Sequence, residues 1–119
     1  MIKIGEISQR VIDLLQLQDE AGTPIFLGDS NIAHMRGVHP EDYEIFKDDI
    51  PAIIRAPDFV GVNPKDKSIE YVKGFAVRNK SVKVAVRVSS GGIYFVRTLY
   101  ARDNRKVERF IKKGYLIKY

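Results

Sequence analysis

The chain has no cysteine, which excludes disulfides and thiolate metal sites and fits a reducing compartment. It has no long hydrophobic run either, and its apolar stretches end far short of a membrane span. The opening "MIKIGEISQRVIDLLQL" interleaves charges with apolar residues and lacks the unbroken apolar core of a signal peptide. No internal repeat or low-complexity stretch is visible, so a single structural unit over residues 1–119 is expected. These absences together point to a soluble, cytoplasmic protein with no membrane partner. Histidine is scarce: His34 and His39 are the only two, both inside "AHMRGVHPEDYEIF".

What is present is a globular composition, 45% hydrophobic and 29% charged, in a chain long enough to bury a core unaided. The net charge of +5 is unevenly spread. Residues 1–59 hold five Lys/Arg against eleven Asp/Glu, whereas residues 60–119 hold fifteen against four. A basic C-terminal half suits an anionic partner, nucleic acid first. The plainer alternative is that the two halves neutralise each other across one fold.

Hydrophobic periodicity predicts short helices in the N-terminal half. Ser8 caps a helix carrying Val11, Ile12, Leu14 and Leu15, and "IFLG" reads as a short extended segment. A second helix, capped by Asp29 or Ser30, holds His34 and ends at Gly37. Pro40 opens a third, with Glu41 and Asp42 in its first turn and Tyr43 and Phe46 towards the core. "DDIPAIIRAPDFV" reads as a fourth, closed by Pro57.

After Asn63-Pro64 the period shortens to two. "SIEYVKGF" is an imperfect strand, and "VKVAVRV" places Val82, Val84, Val86 and Val88 on one face. "SSGG" is a turn signal, so 82–88 and 93–100 should form a hairpin. Asp103 or Asn104 caps a final basic helix that Gly114 stops. The expected fold class is α+β: short N-terminal helices, a three- to four-stranded antiparallel sheet, and a basic C-terminal helix. A fourth strand would come from "PDFVGV" or "YLIKY".

Three groups of residues carry candidate chemistry. Imidazole accepts and donates protons near neutral pH, and RNA cleavage through its own 2′-hydroxyl needs one base, one acid and cations on the phosphorane. His34 and His39 qualify, although taken alone two polar residues at a helix end, hydrogen-bonding locally, are the plainer reading. "YFVRTLY" puts Arg97 and Thr98 at adjacent positions, a bidentate phosphate donor beside a hydroxyl. "RDNRKVERFIKKG" clothes a helix in Arg102, Arg105, Lys106, Arg109, Lys112 and Lys113, near Lys80, Lys83 and Arg87 in sequence charge. No metal is expected: the histidines are five apart, not four, and Glu41, Asp42 and Glu44 read as helix-start residues.

The order "HMRGVHPEDYEIF", "IPAIIRAPDFVG", "KDKSIEYVK", "VAVRV", "YFVRTLY", "RFIKKGYL" resembles the phage-type nucleases of the barnase–EndoU–colicin–RelE superfamily, from about Ile25 to the C-terminus. The resemblance implies N-terminal helices, a four-stranded antiparallel sheet, and an RNase that needs no cofactor or metal and leaves a 2′,3′-cyclic phosphate. It implies an origin in phage or mobile elements. It matches His34 to the histidine of the early helix, with His39 beside it, and Arg97 and Thr98 to the strand residues.

The expected function is therefore a metal-independent endoribonuclease, with RNA as partner, tRNA among the candidates, and an inhibitor or immunity protein as a further candidate. His34 would be the base or acid, His39 its partner or orienter. Arg97 would stabilise the phosphorane, Thr98 would bond the phosphate, and Tyr100 would lie near the leaving group or base. Lys80, Lys83, Arg87, Arg105, Arg109, Lys112 and Lys113 would bind RNA. The rival expectation is a noncatalytic nucleic-acid- or protein-binding module on the same scaffold.

Overall fold

The computed structural model describes residues 1–75 and 79–119. The elements run β1 (Ile2–Ile7), α1 (Gln9–Leu15), β2 (Thr23–Leu27), α2 (Asp29–Val38), α3 (Pro40–Phe46), a 3-10 turn (Lys47–Asp49), α4 (Ile50–Arg55), β3 (Phe59–Val62), β4 (Ile69–Phe75), β5 (Lys80–Val88), β6 (Tyr94–Arg102), α5 (Asn104–Lys112) and β7 (Ile117–Lys118). Helices and strands mix in one α+β arrangement, but the described sheet has seven strands, not three or four. Their order is β1-β2-β6-β5-β4-β3-β7. The antiparallel meander β3 to β6 was legible. The additional strands are β1, which "IKIGEI" disguises with charges and a glycine, β2, the extended "IFLG" segment, which joins β6 in parallel, and the short β7 from "YLIKY", which pairs with β3.

Local chemistry explains most boundaries. The Ser8 hydroxyl accepts from the Val11 N–H at 3.2 Å, satisfying an otherwise free donor of the first turn of α1. The helix α2 starts one residue before the expected caps: Gly28 is its N-cap, and the Asn31 side chain accepts from the Gly28 N–H at 3.0 Å. It also runs through Gly37 to Val38, because Gly37 keeps helical backbone and the chain turns only at His39. Asp103 caps α5, accepting from the Arg105 N–H at 2.8 Å, and Gly114, at φ +79°, turns the chain after it.

The register shows which face of the sheet is which. Val82, Val84 and Val86 lie opposite Lys73, Tyr71 and Ile69 on β4, and opposite Ala101, Leu99 and Val96 on β6. This inner face packs against Met35, Tyr43, Phe46, Ile50, Ile53 and Ile54 of the helical layer, with Tyr71, Val84 and Leu99 fully buried. Each such aliphatic side chain contributes about 1.5–3 kcal/mol by leaving water. Val88, expected on this face, is exposed because the hairpin tip extends past the helices.

The outer face carries Glu70 and Val72 from β4, Lys83, Ala85 and Arg87 from β5, and Phe95, Thr98 and Tyr100 from β6. Helix α5 covers its β3–β4 side through Val107, Phe110 and Ile111, packed against Val72, Phe59 and Leu116. On the β5–β6 side of the same face Lys83 and Ala85 are buried, while Arg87, Thr98, Tyr100 and Arg102 stay half-exposed.

Candidate active site and nucleic-acid interface

Strict alternation along β6 would put Arg97 and Thr98 on opposite faces, and the structure departs from it. Ala85 pairs with Thr98 and Val86 with Val96, so Arg97 has no partner across the ladder. It is the extra residue of a β-bulge, a device that re-aims side chains. The cause is packing: Val96 and Leu99 are both fully buried, and residues three apart share a strand face only if one is bulged out. The bulge leaves Arg97 exposed while Thr98 and Tyr100 follow Phe95 onto the outer face.

Strand β2 pairs with β6 only at Tyr94 and Phe95, so the rest of that edge needs another cover. The helices α2 and α3 supply it. The Asp42 carboxylate accepts from the backbone N–H of Ala101 at 2.9 Å, pinning α3 to the strand. Between the two helices, His39 is the residue that precedes α3, and its side chain makes no capping hydrogen bond. Its ring stacks on Tyr100 instead, with centroids 5.0 Å apart and planes 28° from parallel.

Tyr100 gathers two cations as well. The Arg102 guanidinium carbon lies 4.4 Å from its ring centre and the Lys83 ammonium 5.5 Å. Arg102 Nη2 donates to the Tyr100 hydroxyl at 2.6 Å, while Arg102 Nε is buried with no partner among the described residues. Lys83 is itself nearly buried and paired with Glu70 at 2.6 Å, and Asn63 Nδ2 donates to the same carboxylate oxygen at 3.3 Å. These groups line a groove of about 350 Å³, rimmed by Phe110 and Tyr115.

Two further hollows flank that groove along the hairpin. Towards the tip, Arg87, Arg97, Phe95 and Asn31 line a cavity of about 360 Å³. Towards the opposite end, Lys80, Arg102 and Arg105 line one of about 590 Å³. Arg87 and Lys83 share the outer face, four residues and roughly 13 Å apart, whereas Lys80, opposite Phe75, lies on the inner side at the far end of β5. Positive potential concentrated on that outer face favours a polyanion.

The structure thus stacks His39 on Tyr100, whose ring and hydroxyl also meet Lys83 and Arg102, and sets Arg97 beside Arg87, while His39 does not itself line the cation groove. His34 is exposed on α2, three residues from Asn31 and hence on the same helical face, with no ring or hydrogen-bond partner among the described residues. Thr98 lies half-buried between the two cation groups. Arg109, Lys112 and Lys113 are exposed on α5 and do not line the groove. Glu70 and Arg102 belong to the site although sequence reasoning did not assign them to it. The available signal was opposite charges at mid-strand, Glu70 and Lys83, in neighbouring strands of the meander. No group of three His, Asp or Glu side chains able to hold a metal exists among the described residues. Asp42 and Glu44 are engaged elsewhere, with Ala101 and with Lys47.

A family model described as phage-Barnase-EndoU-ColicinE5/D-RelE like nuclease matches residues 2–109 of this sequence. The chain belongs to that nuclease family. The match includes both histidines, the bulged strand and the Lys83–Glu70 pair, and it reaches into α5. It begins in β1, well before the segment that carries the resemblance. The nuclease fold here uses Phe110 and Tyr115, just beyond the matched residues, to rim the groove. No curated protein and no solved structure matches the chain. Among the described residues no helix is long and apolar enough to cross a membrane.

Proposed function

We propose that this nuclease-family chain is an endoribonuclease that cleaves RNA by attack of the 2′-hydroxyl on the adjacent phosphorus, without a metal ion. The observation that carries the reading is the Tyr100 side chain, which stacks on His39 and also meets the Lys83 and Arg102 cations. A proton-transfer group, a hydroxyl and two cations are what this reaction needs in one place.

In this mechanism one imidazole removes the 2′-hydroxyl proton as the 2′-oxygen bonds to phosphorus. The bond to the 5′-oxygen breaks, and a protonated group supplies the proton that the leaving oxygen takes. The products are a 2′,3′-cyclic phosphate and a 5′-hydroxyl. His39 is the first of these groups, held in orientation by Tyr100, and His34 is the candidate for the second. Lys83 and Arg102 face the phosphorane charge. Thr98 hydrogen-bonds a neighbouring phosphate oxygen. Arg97 with Arg87, and Lys80 with Arg105, hold the strand on either side.

The test is end-labelled RNA incubated with the protein in excess EDTA. Fragments ending in 2′,3′-cyclic phosphate support the reading. Binding without cleavage across several RNA classes, at high protein concentration, would make this a noncatalytic RNA-binding module. Cleavage only with a divalent ion would make it a metal-dependent nuclease.

A further inference from the structure

The cavity near the hairpin tip has a composition distinct from the central groove. Its wall holds two arginines, Arg87 and Arg97, with the Phe95 ring and the Asn31 amide between hairpin and helix. Among the described residues neither arginine forms an ion pair. The carboxylate that feels both is Asp66, and it is held below its usual range first by hydrogen bonds from the Ser68 N–H and hydroxyl. Two guanidinium groups on one wall repel each other unless an anion lies between them, and a phosphate accepts bidentate bonds from each.

Phe95 adds a second requirement. Its ring lines the cavity on one side and leans on Phe26 on the other, with centroids 6.3 Å apart. An aromatic wall beside cations is the pattern that takes an unpaired base with its phosphate, and a base inside a duplex presents no open face. The separation from the reacting centre follows from the strand. Arg87 and Lys83 share a face four residues apart, roughly 13 Å. Successive phosphates advance by about 3.4 Å along the axis of a stacked strand and by more in a stretched one.

We propose that this cavity is a nucleotide subsite for single-stranded RNA, about two to four phosphates from the His39–Tyr100 centre, with Arg87 and Arg97 holding one phosphate and Phe95 receiving one base. The inference rests on the endoribonuclease reading and adds a length requirement to it. A dinucleotide fills only the centre, and a strand of five or six nucleotides fills both. Alternation from Phe95, which lies opposite Arg87, keeps Arg97 on that face, and the bulge brings Thr98 onto it next to Arg97.

The experiment separates binding from cleavage by using 2′-O-methyl RNA, which lacks the attacking hydroxyl. Affinities of a dinucleotide and a hexanucleotide are compared at fixed salt, by fluorescence anisotropy, in the wild type, Arg87→Gln, Arg97→Gln and the double variant. The wild type binds the hexanucleotide much more tightly than the dinucleotide. Each single variant cuts that advantage by about tenfold, the size of one hydrogen bond to a charged group, and the double variant nearly abolishes it. Annealing the hexanucleotide to its complement removes the advantage too.

An unchanged length advantage in the double variant overturns the proposal, as does tight binding of the duplex. Equal weakening of both lengths also overturns it, because the arginines then act at the centre. Absence of any RNA binding by the wild type does the same. If unmodified RNA is bound with this length dependence but not cleaved, the subsite stands and the catalytic reading fails.

Discussion

The Lys83–Glu70 pair gives the sharpest quantitative prediction. Its side chains are 8% and 12% exposed, with nitrogen and oxygen 2.6 Å apart. Apart from Glu70, the ammonium faces the Tyr100 and Phe110 rings at 5.5 and 5.8 Å. Changing Glu70→Leu strands that ammonium in a nearly dry site, and breaking a buried pair in this way costs about 3–5 kcal/mol. Changing Glu70→Leu and Lys83→Met together replaces the pair with apolar volume, and the double variant should lie within about 1 kcal/mol of the wild type or above it. Urea unfolding of all four proteins closes a double-mutant cycle. A loss below about 1 kcal/mol for Glu70→Leu alone would mean the pair is solvated like a surface ion pair, refuting the argument. A double variant as unstable as Glu70→Leu would refute it equally. The restored double variant should still bind RNA more weakly than the wild type, since the proposed mechanism sets Lys83 toward the phosphate.

Three further outcomes follow from single contacts. Asp42→Ala removes the acceptor of the Ala101 N–H and should cost about 1–3 kcal/mol, with faster amide exchange at Ala101 and slower RNA cleavage as His39 loosens. Unchanged exchange there would contradict the pinning role. Gly61→Ala puts a methyl group against the Tyr115 carbonyl and, at 3.1 Å, against Leu116, so thermal unfolding should show a loss of about 1–3 kcal/mol. An unshifted melting temperature would refute that close approach. The Tyr94 hydroxyl is pushed up to about 12, by burial first and then by its hydrogen bond to Asp19, and burial raises Tyr71 as well. Groups raised above the ordinary tyrosine value near 10 stabilise fully below that pH and lose the contribution as pH climbs towards their folded values. Stability should therefore fall from about pH 10 upward, and less steeply in Tyr94→Phe, as followed by urea midpoints across that range. An equal slope in the variant would contradict the assignment.

Local pattern made much of this molecule readable. Four valines at every second position marked β5, and the turn after it fixed the hairpin, because period and turn chemistry are written in adjacent residues. Pro40 with two acids marked the start of α3 for the same reason. The parallel β2–β6 pairing joins segments some seventy residues apart, and no local pattern specifies it. The bulge was legible only in hindsight. Val96 and Leu99 both need burial, their spacing is incompatible with plain alternation, and the core overrides the pattern at Arg97. Candidate histidines were recognisable by residue type alone. Which of them meets a partner depends on α2 and α3 wrapping the free edge of β6, which places His39 against Tyr100 and leaves His34 exposed.

The central claim is that His39, stacked on Tyr100, moves a proton during RNA cleavage. Its most direct test is the single-turnover rate on a defined RNA in EDTA, for the wild type and His39→Ala. The account predicts metal-independent cleavage with cyclic-phosphate ends and a rate about 10²–10⁴-fold lower in the variant, the range of one general acid–base group. Wild-type rates in His39→Ala, with folding and RNA affinity intact, would contradict it.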